Sequence, residues 1–199
     1  MKILAFSDLH LSAAHATALV TASAQADLVI GAGDFCNGRQ GLDQAMQMLD
    51  GIKTPFVTVP GNAESADELR AAALPGMTVL HGEGVEIDGL QLFGLGYGVP
   101  ETPFGGWSCD LSEAEADLLL ERCTQVDILI SHSPPKGQGD VTSQGHSVGS
   151  KSVFKAVQRL QPKLVLFGHV HDCWGFRGRI GQSLTANVGP EPSFFEVTP

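Results

Sequence analysis

The chain has 199 residues, of which 43% are hydrophobic and 17% charged, and its formal net charge is −10. That length suits one domain with a substantial core, and that balance excludes a disordered chain. The acidic excess argues against polymeric DNA or RNA as a main partner, because an acidic surface repels a phosphate backbone.

The first element is a short apolar run, "KILAF", which reads as a strand buried on both faces and delivers Asp8 and His10 just past its end. This opening stretch is too short for a signal peptide and no later stretch approaches a membrane span, so a soluble, cytoplasmic protein is expected. A second run, "DLVIGAG", leads to Gly33-Asp34. The spacing of Leu42, Ala45, Met46 and Leu49 then predicts a helix with one buried face. A third run, "PFVTVPG", ends at Gly61-Asn62. Ser65 with Glu68 forms a capping-box pattern for the next helix, and Glu64 reads as a first-turn acid that favours the helix dipole.

"MTVLHGEGVEIDGLQLFGLG" alternates with period two around Asp88-Gly89, which suggests a β-hairpin. Residues 96–108, "GYGVPETPFGGWS", form a Gly- and Pro-rich loop, and loops of this length in compact domains tend to be functional. Ser112 with Glu115 opens another capped helix, and "DILIS" then delivers His132. Val153, Phe154, Val157 and Leu160 make a third apolar stripe that Pro162 stops. "KLVLFGH" leads to Gly168-His169-Val170-His171, and the tail is strand-like without a helix.

Strands alternating with helices predict crossover units and largely parallel pairing. The expected architecture is α/β: a layered sandwich of mixed sheets flanked by helices, with antiparallel additions toward the edges, in a single domain over residues 1–199. Cys36, Cys109, Cys123 and Cys173 contain no CxxC pair, so neither a disulfide framework nor a zinc cluster is expected.

Five separate strands thus aim a polar, metal-competent residue at one edge, and in open α/β sheets ligands bind beyond the carboxyl ends of the strands. In an extended segment residues i and i+2 share a face, so both side chains of Asp8-x-His10, or of His169-x-His171, can reach one ion. Two Asp, one Asn and four His are too many donors for one tetrahedral ion and suit two transition-metal ions sharing a bridging carboxylate. Two such ions polarise phosphoryl oxygens and lower the pKa of a bridging water.

The ordered set Asp8-x-His10, Gly33-Asp34, Gly61-Asn62, His132 and Gly168-His169-x-His171 resembles the calcineurin-like metallophosphoesterases. The stretches "VPETPFGG", "LSEAEADLLL" and "DILISHSPPKGQGD" are similar to small microbial members and to the branch that hydrolyses cyclic nucleotides. The resemblance implies a β-sandwich flanked by helices. It implies that Asp8, His10, Asp34 and His171 hold one metal, and that Asp34, Asn62, His132 and His169 hold the other, the ions being manganese, iron, zinc or nickel. It further implies hydrolysis of small phosphodiesters by in-line attack of a metal-bridging hydroxide, with Asp34, Asn62 and His169 in the catalytic set. Many members carry a His after the Asn, where Ala63 stands here. His146 is a candidate substitute proton donor and substrate contact, and Arg39 a candidate phosphate clamp beside Asn62. Expected partners are small phosphoesters, with neither polymeric nucleic acid nor membrane, and a homodimer is the assembly to test. The other reading is a metal-dependent nucleotide- or phosphate-binding protein with weak catalysis, motivated by Ala63.

Overall fold

The five buried apolar runs all become strands, and in a computed structural model describing residues 1–198 they lie inside two sheets rather than at the edges. In the first sheet β1 (Lys2–Phe6), β2 (Leu28–Gly31), β3 (Phe56–Thr58) and β4 (Met77–Val79) run parallel in that order. The last strand, β11 (Ser193–Glu196), pairs antiparallel with β1 and closes that side. The second sheet has the order β5 (Glu83–Ile87), β6 (Leu90–Leu95), β7 (Ile128–Ser131), β8 (Leu164–Phe167), β10 (Ser183–Asn187) and β9 (Arg177–Ile180). Its four central strands are parallel and its two outer pairs antiparallel.

Successive residues on a strand point to opposite faces, so a strand buried on both sides needs apolar residues throughout. Ile3, Ala5, Leu28, Ile30 and Val57 face Leu92, Ile128, Ile130, Leu164 and Leu166 between the sheets, forming one buried cluster. The alternate residues Leu4, Phe6, Val29 and Phe56 pack outward against α1 (Ala13–Ser23), α2 (Leu42–Leu49) and α3 (Ala66–Ala72). On the far side Phe93, Leu129, Val165 and Phe167 pack against α4 (Glu113–Leu120) and α5 (Lys151–Leu160). The result is the layered α/β sandwich expected, in the order helix, sheet, sheet, helix.

Local signals position the helices. Both capping boxes form, with Ser65 Oγ accepting from Glu68 N and Ser112 Oγ from Glu115 N. Glu113 ties α4 to α5 by accepting hydrogen bonds from the backbone N–H groups of Lys151 and Ser152 and from Ser150 Oγ. Asp88 and Gly89 take positive φ values of 48° and 82°, the backbone a two-residue hairpin needs, and join β5 to β6. Met77–Val79, expected within that hairpin region, instead adds to the first sheet beside β3. Among the described residues no helix is long and apolar enough to cross a membrane.

Candidate dinuclear metal centre

Parallel pairing makes β1, β2 and β3 end on the same edge, with Phe6, Gly31 and Thr58 in one register line. The turns beyond them are cross-tied: Asp8 N donates to Gly33 O at 2.9 Å and His10 N to Asp34 O at 3.1 Å. From the other sheet Gly168 N donates to the carbonyl of His132 at 3.0 Å, joining the turns after β7 and β8. The chain tightens so sharply there that Asp8, His10, Asp34 and His169 all adopt positive φ, between 45° and 69°. Such backbone costs about 1–2 kcal/mol per residue outside glycine, so four instances at one edge mark a site that the rest of the fold holds in place. Gly61 is required by contact: a Cβ there would collide with the carboxylate and the backbone nitrogen of Asp34.

All seven residues predicted as ligands converge. Asp34 lies centrally, its Oδ2 3.5 Å from His10 Nε2 and its Oδ1 3.5 Å from His132 Nε2. Donor atoms of Asp8, His10 and His171 all lie within 4.8 Å of one another, as do those of Asp8, Asp34 and His132. On the deeper side His132 Nε2 is 3.1 Å from Asn62 Oδ1 and 3.1 Å from His169 Nδ1. Asp8 therefore stands near both groups, closer to the middle than the sequence pattern implies.

The donor chemistry fits cations. His132 Nδ1 lies 2.8 Å from the carbonyl of Ala32 and donates to it, which leaves Nε2 as a lone pair. That lone pair faces the carbonyl oxygen of Asn62, whose Nδ2 donates to Ser108 Oγ at 3.1 Å. In that tautomer two acceptors face each other, an arrangement that a cation, or a proton in its absence, satisfies. His10 behaves likewise: its Nδ1 reaches Cys36 O at 3.1 Å and Asn37 Oδ1 at 3.0 Å, turning Nε2 toward His171 Nε2 at 3.2 Å. Secondary partners of this kind fix the tautomer and aim of metal-binding imidazoles.

The electrostatics agree. Burial alone would raise the Asp8 pKa, yet His132, the Ser7 hydroxyl, His171 and His10 together lower it. Burial opposes charge on His132, but Asp34 and Asp8 overcome that and raise its pKa. His169 is driven the other way, down to about 3, by burial and then by the charge on His132. The cluster thus attracts one positive charge to its centre while keeping a neighbouring imidazole neutral, the state a metal ligand needs.

Several contributors left no sign in the sequence pattern. Asp8 Oδ2 accepts from Ser7 Oγ at 2.7 Å and from the Trp174 indole at 3.0 Å. Trp174 also lies against His171, ring centroids 4.6 Å apart. It is a positioning residue, holding one ligand's oxygen and another's ring. Trp174→Phe keeps the ring but removes the N–H, so metal affinity should fall by about 10- to 100-fold, measured by isothermal titration of the apoprotein with manganese. Unchanged affinity would show that Ser7 and the backbone N–H of His169, which also donates to the Asp8 carboxylate, suffice to orient Asp8.

Glu64 is fully buried, and it is not a first-turn helix acid. It sits before the N-cap Ser65 and accepts from Asp34 N (2.8 Å), Phe35 N (3.1 Å) and Gly61 N (2.7 Å), with Cys36 N at 3.5 Å. Burial and then the Asp34 carboxylate push its pKa up to about 7, against the pull of these backbone donors.

Arg39, expected as a phosphate clamp, is not placed for it: its guanidinium grips both Glu68 oxygens at 2.7 and 2.8 Å and donates to Cys109 Sγ at 3.3 Å. Its backbone, at φ 69°, donates to Ala63 O and turns the side chain away from the cavity over the ligands. Ala63 is 1% exposed, and its N–H donates to Asp34 Oδ1 at 2.8 Å, so the residue serves through its backbone.

The ligand cluster opens into a cavity of about 1030 Å³ whose floor includes His10, Asn62 and His169. One wall comes from the loop of residues 100–107, the other from residues 142–149. His146 lines this second wall, its backbone paired with Thr142.

The chain belongs to the calcineurin-like phosphoesterase family, whose sequence profile matches residues 1–173. It is similar to human metallophosphoesterase domain-containing protein 1, at 42% identity over 86 residues, covering 40% of this chain and 26% of that one. Matches of this kind span only about a quarter of the length of the first such relatives, a UPF0046 protein of Caenorhabditis elegans among them at 23%. The fold resembles that of a Thermus thermophilus protein, with a TM-score of 0.73 at 17% identity over 94% of this chain and 88% of that one. Family membership and the candidate ligand groups identify a metal-dependent phosphoesterase class.

Proposed function

We propose that the protein hydrolyses small phosphodiesters, cyclic nucleotides among them, with two metal ions drawn from manganese, iron, zinc or nickel. The observation that carries this reading is the convergence of Asp8, His10, Asp34, Asn62, His132, His169 and His171 at one cavity floor, with lone pairs facing each other. Cations held there would supply Lewis-acid polarisation of a phosphoryl oxygen and ionised water at neutral pH.

The chain's own groups do the rest. Asn62, fixed by Ser108, presents its carbonyl oxygen to the floor and keeps its amide orientation through the reaction. His169, kept neutral by its surroundings, stays available as a donor atom or a hydrogen-bond partner for a phosphate oxygen. His146, on an exposed loop wall, has the freedom to approach a leaving oxygen and give it a proton. Diesters are favoured over monoesters because the cavity continues well beyond the ligands, leaving room for a second ester arm. The acidic surface suits small substrates better than a nucleic-acid polymer.

A second reading, nucleotide binding with weak catalysis, draws on Ala63, which offers no side-chain acid. The test uses protein stripped with chelator and reloaded with manganese, assayed on an aryl phosphodiester and on 2′,3′- and 3′,5′-cyclic nucleotides. Turnover that appears only on reloading is expected. Tight nucleotide binding without turnover would favour the binding protein, and neither would end both readings.

A further inference from the structure

Phe104 and Trp107 remain 50% and 40% exposed. Their rings lie nearly parallel, 8° apart with centroids at 5.6 Å, in an offset stack whose outer face is an aromatic surface. That surface lines the same cavity as the ligand cluster, and the Phe104 ring stands 6.5 Å from the ring of His169. The loop that carries it is pinned on both sides of the pair. Thr102 donates to Asp110 Oδ2 from its backbone N and its hydroxyl, and Ser108 Oγ donates to Asp110 Oδ1 at 2.9 Å. The same Ser108 holds Asn62 Nδ2, and Cys109 N donates to Asn62 O at 2.9 Å. The aromatic surface and a metal ligand are therefore parts of one hydrogen-bonded unit, which fixes their separation.

We propose that Phe104 and Trp107 form a stacking platform for a planar aromatic group on the substrate, a nucleobase or aryl ester, and so determine specificity. The proposal rests on the phosphoesterase reading above and assigns it a substrate class: phosphodiesters bearing a base one sugar away from the phosphate. Recognition here is by the face of the ring rather than its edge, since every base has a π-face, so the enzyme accepts several bases. A ring laid on this surface covers apolar area that is otherwise in water, while the phosphate end reaches the floor beside His169.

The test compares Phe104→Ala with wild type on 2′,3′-cyclic AMP and on glycerol 1,2-cyclic phosphate, which has a similar strained cyclic diester but no aromatic base. KM for the nucleotide is expected to rise about tenfold, the size of one base–aromatic stack, while kcat/KM for the glycerol ester stays within about twofold. Equal losses on both esters, no change on the nucleotide, or a changed oligomeric state in Phe104→Ala would each overturn the platform, the last in favour of a protein interface. A second readout does not depend on turnover. In manganese-loaded protein AMP should quench indole fluorescence and ribose 5-phosphate should not, with the quench lost in Trp107→Phe. If wild type hydrolyses neither ester, the proposed function fails, and the AMP quench alone still decides for or against the platform.

Discussion

Asp34→Asn is expected to lower phosphodiester turnover by about a thousandfold or more while leaving the fold intact. Loss of one preorganised electrostatic contact in an active site costs about 10²–10³ in rate, and Asp34 is a contact to both halves of the cluster. Its Oδ2 faces His10 and its Oδ1 faces His132, each at 3.5 Å. Asparagine matches the shape and still offers a carbonyl oxygen to the Ala63 N–H, and the Glu64 bonds to the backbone of residues 34 and 35 are untouched, so the turn keeps its tethers. The substitution removes a negative charge, half of the carboxylate pair that draws positive charge to His132. Metal content should therefore drop from two ions per chain toward one, read by elemental analysis after gel filtration, with a melting curve close to wild type. A variant that retains two ions and turns over within tenfold of wild type would remove Asp34 from the bridging role.

Much of this site is readable in the sequence because parallel strands buried on both faces are continuous apolar runs, and the residues just past each run lie at the same edge. That logic finds Asp8, Asp34, Asn62, His132 and His169 from the order of residues alone. It weakens where local pattern and tertiary contact part company. The helix α1 leaves little periodic trace, since its segment is rich in Ala, Thr and Ser, and only Ala16, Leu19 and Ser23 are buried. Arg39 stands close behind Asp34 in sequence, yet a left-handed backbone at residue 39 hands its guanidinium to Glu68. Trp174 meets Asp8 across 166 positions, and no local rule reaches that far. Glu64 is the sharpest case. Its neighbours Ser65 and Glu68 announce a helix start, and an acid there reads as dipole compensation, whereas its carboxylate points inward to the backbone of its own turn and of the turn after β2.

Glu64 carries the other large expectation. Two of its strongest contacts, Asp34 N and Gly61 N, lie on the same carboxylate oxygen, and Phe35 N and Cys36 N share the other. One side chain thus holds together the turns after β2 and β3, which carry Asp34 and Asn62. Glu64→Ala leaves at least three buried N–H groups without acceptors, at about 1–3 kcal/mol each. With partial relaxation the loss should reach about 3–5 kcal/mol, enough to lower the melting temperature by about 10 °C in a chain of this size. Glu64→Gln keeps the shape and one acceptor oxygen but aims an NH2 group at donors, so it should fall between wild type and alanine. Melting in excess chelator separates the two ways Glu64 can act. If the carboxylate holds backbone, the deficit persists without metal, and the apoprotein variant melts below apo wild type by nearly the same interval. If it acts only through the metals, chelator erases the difference, and the assignment of Glu64 as the tie between the two turns is wrong.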